Sequence, residues 1–259
     1  EQLGVGQEFF YPPAAWGVSG QPTDYIIKIG EPVGSMFGLV TDGFYTVNDF
    51  NYNNGIYTLK PGVVSNSGII GVVQPGAIKF KDLNGDGVVD LNNDRQIIGD
   101  PTPKFTGGLN QQFSWKQWDM SLFVNFSYGN DIYNANKIEL TNGYSNNSNM
   151  LDIMSGRWKV ITPTGETAQW VAGNTVYGIA PDQLAALNAN ATIWQPIRGA
   201  GAFYPHSWAI EDGSFLRFNN MTIGYTFPAR KLVGTKLSKL RLYFTANNFA
   251  IITNYSGYD

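Results

Sequence analysis

The residues best suited to chemistry lie in DLNGDGVVDLNND, positions 82 to 94. A hard cation such as calcium takes about six to eight oxygens, and a tight loop supplies them from alternating positions. Asp82, Asn84, Asp86 and Asp90 stand at loop positions 1, 3, 5 and 9, Gly87 falls at the turn, and Val88 offers its carbonyl. Position 12 is Asn93, and the acid that should close the set, Asp94, comes one residue late. The flanking residues read as extended rather than as EF-hand helices. The expected role is therefore a structural calcium clip, with an ion-free Asn/Asp/Gly turn as the alternative.

Other chemistry has little material. Glycosidases need two facing carboxylates, but Glu211 and Asp212 are neighbours that a strand would point to opposite faces, and nothing in the sequence pairs either with Asp119. There is no cysteine and a single histidine, His206 in AFYPHSWA, so thiolate sites, disulfides and the usual triads lack their parts. No enzyme is expected. His206 reads as a loop residue with a satisfied hydrogen bond, or as a contact to a ligand or partner. Trp158, Trp170, Trp194, Trp208, Tyr133, Tyr144 and Tyr177 are candidate ligand or partner contacts, because an aromatic face packs on a sugar ring while Asn and Asp bond its hydroxyls. The alternative is that these rings pack their loops together.

The elements that must carry these residues read as strands. With 30 glycines and 13 prolines spread along 259 residues, long helices have little room. FTGGLNQQFSW (105 to 115) and WDMSLFVNFSY (118 to 128) alternate with period two, each long enough for a tilted strand to cross a bilayer, and only Lys116 and Gln117 separate them. NMTIGYTF and KLRLYFTANN form a second such pair; DYIIKI and GSMFGLVT, broken by Gly30, Glu31 and Pro32, form a weaker one. That makes about six strands. Short turns at 30 to 33, 116 to 117 and 228 to 236 alternate with long connections at 42 to 104 and 129 to 213. In the second of these, PDQLAALNANA predicts a short helix opened by Pro181 and Asp182, and its tryptophans imply that the connection is folded.

Composition points the same way. Charged residues are 14%, against about 25% in ordinary soluble domains, while aromatics are 14% and asparagines number 25. No run approaches the roughly 18 apolar residues of a membrane helix. A net charge of −3 gives no basic field for nucleic acid. The opening EQLGVGQEFF lacks the basic and then apolar run of a signal peptide. Strand faces such as Met120, Leu122, Val124 and Phe126 opposed by Ser121, Asn125 and Ser127 fit lipid on one side and water on the other. Because open sheet edges do not survive in hydrocarbon and a membrane barrel needs about eight strands, six strands predict an incomplete barrel, whose closing tail ITNYSGYD reads as loop.

IKFKDLNGDGVVD, then DRQIIGDPTPKFTGGLNQQFSWKQWDMSLFVNFSYGNDIYN, closely resembles the C-terminal part of SusC/RagA-type TonB-dependent outer-membrane transporters of the Bacteroidota. So do GEPVGSMFGLVTDGFY upstream, and EDGSFLRFNNMTIGYTFP and LSKLRLYFTANNFAIITNYSGYD downstream. These blocks cover roughly half the chain. The resemblance implies an all-β fold: residues 1 to 259 as C-terminal antiparallel strands of a 22-stranded transmembrane β-barrel with long extracellular loops, without the plug, the early strands and the last strand. It also implies an outer-membrane location with loops at the cell surface, energy through TonB, and import of oligosaccharides or peptides under a SusD-like lipoprotein lid. The family pattern is departed from by the extra residue before Asp94 and by 150 to 205, which match no family motif. The rival reading is a secreted carbohydrate-binding β domain with a calcium clip; a glycoside hydrolase comes third.

Overall fold

The structure is a computed structural model that describes residues 8–10, 23–142, 149–196, 203–228, 232–234 and 236–257. The chain divides into two compact units, one of Glu1–Gly99 with Tyr133–Ile210, the other of Asp100–Ile132 with Glu211–Asp259.

The second unit is built on four long antiparallel strands, Phe105–Trp115, Trp118–Tyr128, Phe215–Thr226 and Arg241–Thr253, in the spatial order first, second, third, fourth. Trp115 pairs with Trp118, so the first hairpin turns on Lys116 and Gln117 alone, and Lys116 adopts φ 54°, the left-handed backbone that a two-residue turn demands. Register puts Leu109, Val124 and Phe218 in one row, and Phe113, Met120, Ile223 and Phe244 in another. One face is thus apolar across all four strands; the other is mixed, carrying Ser121, Asn125, Thr222 and Thr245 together with Phe123, Tyr243 and Ile251. An 11-residue strand, rising about 3.4 Å per residue and tilted by about 45°, climbs about 25 Å, the height of the apolar band of an outer-membrane barrel.

The third and fourth strands reach further than their alternation predicts, back to Phe215 and on to Thr253. A bulge is the reason. Pairing jumps from Asn220–Asn247 to Phe218–Ala250, leaving Asn219 over, and Asn248 takes φ 46°. The extra residues keep Leu216 and Phe218 on the same face as Met221 and Ile223, while breaking the period-two pattern in the sequence.

The first unit holds the other two expected strands, Tyr25–Lys28 and Ser35–Leu39, which pair as expected but in a separate sheet with Phe9–Phe10 and Arg95–Gly99. Ser35–Leu39 is buried on both faces apart from Phe37, so this strand is core rather than lipid-facing wall. Within the same unit the long connections are folded. Phe50–Asn53, Ile56–Leu59, Thr175–Gly178 and Gln169–Ala172 make a four-stranded sheet. The helix Pro181–Leu187 forms as expected with Pro181 in its first turn, where a missing N–H costs nothing, and its Leu184 is fully buried. Two cores hold the unit together, one around Leu39, Ile78, Phe80 and Trp194, the other around Tyr45, Tyr57, Trp158 and Leu184.

Candidate functional site

The acidic loop folds on itself. Asp82 accepts the amides of Gly85 and Gly87 at 2.6 and 2.7 Å, Asp86 accepts Val88 N–H, and Asp90 accepts the amides of Asn92 and Asn93, which hold its carboxyl below the usual range. Asp94, the late acid, is fully buried and accepts Leu83 N–H and Asp90 N–H, both at 2.7 Å. It therefore ties the start of the loop to its end. Behind the turn, Ser65 receives Val89 N–H at 2.8 Å and donates its own amide to Gly87 at 2.9 Å. Among the described residues no three acidic or histidine side chains converge as a metal centre requires.

The three carboxylates weighed for hydrolysis are all engaged elsewhere. Glu211 accepts the amide and hydroxyl of Ser256, and Asp212 accepts those of Ser214, whose hydroxyl first and amide second keep its carboxyl low. Asp119 on the second long strand is bridged by Arg241 on the fourth, with Nε at 3.1 Å. No local sequence pattern announces this ion pair. Its signal is an acid and a base at matching heights on the polar faces of strands that are second neighbours.

His206 lies in an aromatic nest. Its ring stacks on Trp208 at 6.1 Å between centroids, meets Phe80 and Trp194 edge-on, and shares a 2.8 Å hydrogen bond between Nδ1 and Thr41 Oγ1. Burial, and behind it the charge of Lys137, holds the imidazole down to about 3. Of the two readings of this residue, the satisfied hydrogen bond is the one that the structure places on view.

The aromatic candidates separate by burial. Trp158 and Trp194 are core residues, exposed by only 4% and 5%, with no ring face left for a ligand. Tyr133 packs on the small core of Ile138, Phe203 and Ala209, and burial pushes its phenol up. Trp208 is half-buried and lines a cleft of about 360 Å³ with Thr41, Phe44 and Ile153. Trp170 is 47% exposed and stacks on Tyr177 at 5.3 Å and 11° between planes. Tyr144 lies outside the described residues.

The long sheet supplies the remaining functional surface. Phe105, Leu109, Phe113, Leu242, Phe244 and Ile252 all stand exposed, an arrangement that water penalises and hydrocarbon does not. Aromatics close both ends of the apolar band, Trp115, Trp118 and Tyr225 at the hairpin end, Phe105 stacked on Tyr128 at 5.0 Å at the other. No helix among the described residues is long and apolar enough to cross a membrane.

No family model matches the chain. Curated relatives do. TonB-dependent receptor P3 of Formosa agariphila is 31% identical over 234 residues, 90% of this chain and 19% of that protein. TonB-dependent receptor SusC of Bacteroides thetaiotaomicron is 24% identical over 93% of this chain and 20% of its own length. Among solved structures, the RagAB peptide transporter superposes with TM-score 0.58 at 18% identity, covering 98% of this chain and 22% of that one. The chain thus spans about a fifth of the length of the curated relatives it matches. An antiparallel sheet with one apolar face framed by aromatics, and similarity to these receptors along nine-tenths of the sequence, identify the chain as a segment of the SusC/RagA-type TonB-dependent transporter family.

Proposed function

We propose that the chain supplies wall and surface loops to an outer-membrane importer of oligosaccharides or peptides, energised through TonB and served by a SusD-like surface lipoprotein. The observation that carries this reading is the long sheet, one face of which leaves Leu109, Phe113, Leu242, Phe244 and Ile252 exposed and ends in aromatic pairs at both ends. A barrel wall between lipid and a watery lumen requires that arrangement. The relatives are named as receptors, and the RagAB neighbours as peptide importers or transporters. A secreted carbohydrate-binding domain does not account for so much exposed apolar surface. The test is a strain lacking the full-length transporter, complemented with the wild-type gene or with one lacking residues 150 to 205. Import of oligosaccharide or peptide and co-purification of a surface lipoprotein are expected with the first and lost with the second, while the barrel still reaches the outer membrane. Unchanged uptake in the deleted form refutes the role of these loops.

The acidic loop is proposed as a structural clip that calcium reinforces. Supporting this are Asp82, Asn84, Asp86 and Asp90, which stand at positions 1, 3, 5 and 9 as the ligands of a calcium loop do. Because the carboxylates already hold the loop's own amides, the ion adds to the fold rather than creating it. Calcium is expected to raise the melting temperature modestly, and no change across a calcium titration overturns its part.

A further inference from the structure

The four-stranded sheet of the first unit has one face that the unit's core does not use. Val176 and Tyr57 point inward and are buried, and Tyr57 is fixed there by its hydroxyl donating to the Ile179 carbonyl at 2.8 Å. Side chains alternate along a strand, so Trp170, Tyr177, Ile56 and Thr58 point the other way, in rows set by the pairings Trp170–Tyr177, Tyr177–Ile56 and Asn51–Thr58. This outward face carries two stacked rings with Asn51, Asn53 and Thr58 exposed beside them.

Next to it, where the strands of Ile56 and Thr175 diverge, opens a cleft of about 550 Å³. It shares Ile56, Thr58 and Thr175 with the face and adds the hydroxyls of Ser65 and Ser67 and the amide of Asn174 over an aliphatic floor that includes Leu59, Val72 and Val73. Its volume falls within the roughly 300–1,000 Å³ of ligand clefts. Every residue lining the cleft is neutral.

We propose that this face and its cleft form a contact site for a neutral oligosaccharide. The chemistry selects the ligand. The apolar side of a pyranose ring packs on an aromatic plane, and its hydroxyls need donors and acceptors of the amide and hydroxyl kind, which are the groups supplied. The cleft lining is neutral, whereas a peptide brings charged termini and side chains, and a lipid chain would leave the hydroxyls and amide of Thr58, Ser65, Ser67, Asn174 and Thr175 unpaired. The rings are held ready, because the sheet beneath them is pinned by Tyr57 and by the core around Phe50, Val176 and Leu184. The inference deepens the oligosaccharide half of the proposed function and rests on it for the source of the ligand.

The test uses the full-length transporter in detergent, titrated with maltohexaose, cellohexaose, laminarihexaose and xylohexaose by calorimetry. At least one is expected to bind, with Trp170→Ala weakening it about tenfold or more, the loss of about 1.4 kcal/mol, and Trp170→Phe keeping most of the affinity. Thr58→Val, which removes one cleft hydroxyl without touching the rings, is expected to weaken binding less. Absence of binding by all four, or affinity indifferent to Trp170→Ala and Tyr177→Ala, overturns the site. Import is read separately on cells. A protein that imports oligosaccharide while its glycan affinity ignores Trp170 overturns the platform alone; Trp170-dependent binding in a protein that imports none overturns the transport reading and leaves the platform.

Discussion

Phe80 and Phe113 are the same side chain in two solvents. In the first unit the ring of Phe80 is 1% exposed, packed among Leu39, Ile78 and His206; in the long sheet the ring of Phe113 is 56% exposed, in a row that ends in the equally bare Phe244. The first unit closes its cores within itself, as a water-soluble domain must, whereas the second turns its apolar surface outward. Hydrophobicity by itself therefore does not locate a core. What distinguishes the regions is whether the apolar residues of a sheet are covered by the chain or framed by aromatics and left open.

The sharpest break of that comparison is Phe80→Ala. Removing a fully buried ring leaves a cavity and costs about 3–5 kcal/mol, so the first unit should unfold at markedly lower denaturant while the heat-modifiable gel shift of the full-length barrel persists. If the gel shift is lost as well, the two regions do not stabilise themselves independently. Next comes Leu109→Arg against Asn110→Arg, adjacent residues on opposite faces of the first long strand. A charge near the middle of a lipid-facing wall costs about 2–4 kcal/mol, so the folded fraction of Leu109→Arg in lipid vesicles should drop sharply and that of Asn110→Arg hardly at all. Equal losses would mean that both faces meet the same medium.

A pH titration sharpens the contrast from the other side. His206 is the buried titratable group of the first unit whose folded value, about 3, lies far below its ordinary 6.5, so folding favours the neutral ring. The unfolded chain binds the proton first. Stability from this group is complete above about 6.5 and falls as the pH drops from there towards 3. The first unit should melt progressively earlier between pH 6.5 and 4, and His206→Gln, though less stable at neutral pH from lost ring packing, should show a flatter slope. An unchanged slope assigns the acid sensitivity to other groups.

How much of this the sequence discloses depends on whether a local pattern survives. The first hairpin is legible, because eleven residues of mainly period-two pattern run up to a two-residue turn on each side. The third and fourth strands are legible by alternation only to the bulge at Asn219 and Asn248, beyond which the apolar residues change phase and Phe215–Phe218 and Phe249–Thr253 fall outside the period-two stretches. Of the site candidates, Trp170 and Trp158 look alike in sequence, since each stands in a long polar connection. Only the pairing of Gln169–Ala172 with Thr175–Gly178 puts one ring outside, and only the closure of the second core puts the other within. The acidic loop is legible as a loop. Asp94 comes too late for a standard ligand set because it serves as the buried tie between Leu83 and Asp90.

The smallest effect concerns Gly224, where the polar face of the long sheet has its own long-range contact. Asp119 and Arg241 sit on the second and fourth strands, and the third passes between them with Gly224 opposite Asp119. A Cβ at Gly224 would stand 2.5 Å from the Arg241 guanidinium and 2.7 Å from the Asp119 carboxylate. Glycine there is thus the opening through which one ion pair spans three strands. Because both side chains are more than a third exposed, water screens them. Gly224→Ala should therefore cost little stability. Its signature is salt dependence: the wild-type barrel should lose a little stability as ionic strength rises, and the variant, with its ion pair pushed aside, should not. Parallel salt curves would mean that the pair contributes nothing and that Gly224 serves only the backbone. A wild-type response absent from the variant would show the polar face to be held across its strands by charge, where the apolar face is held by its surroundings.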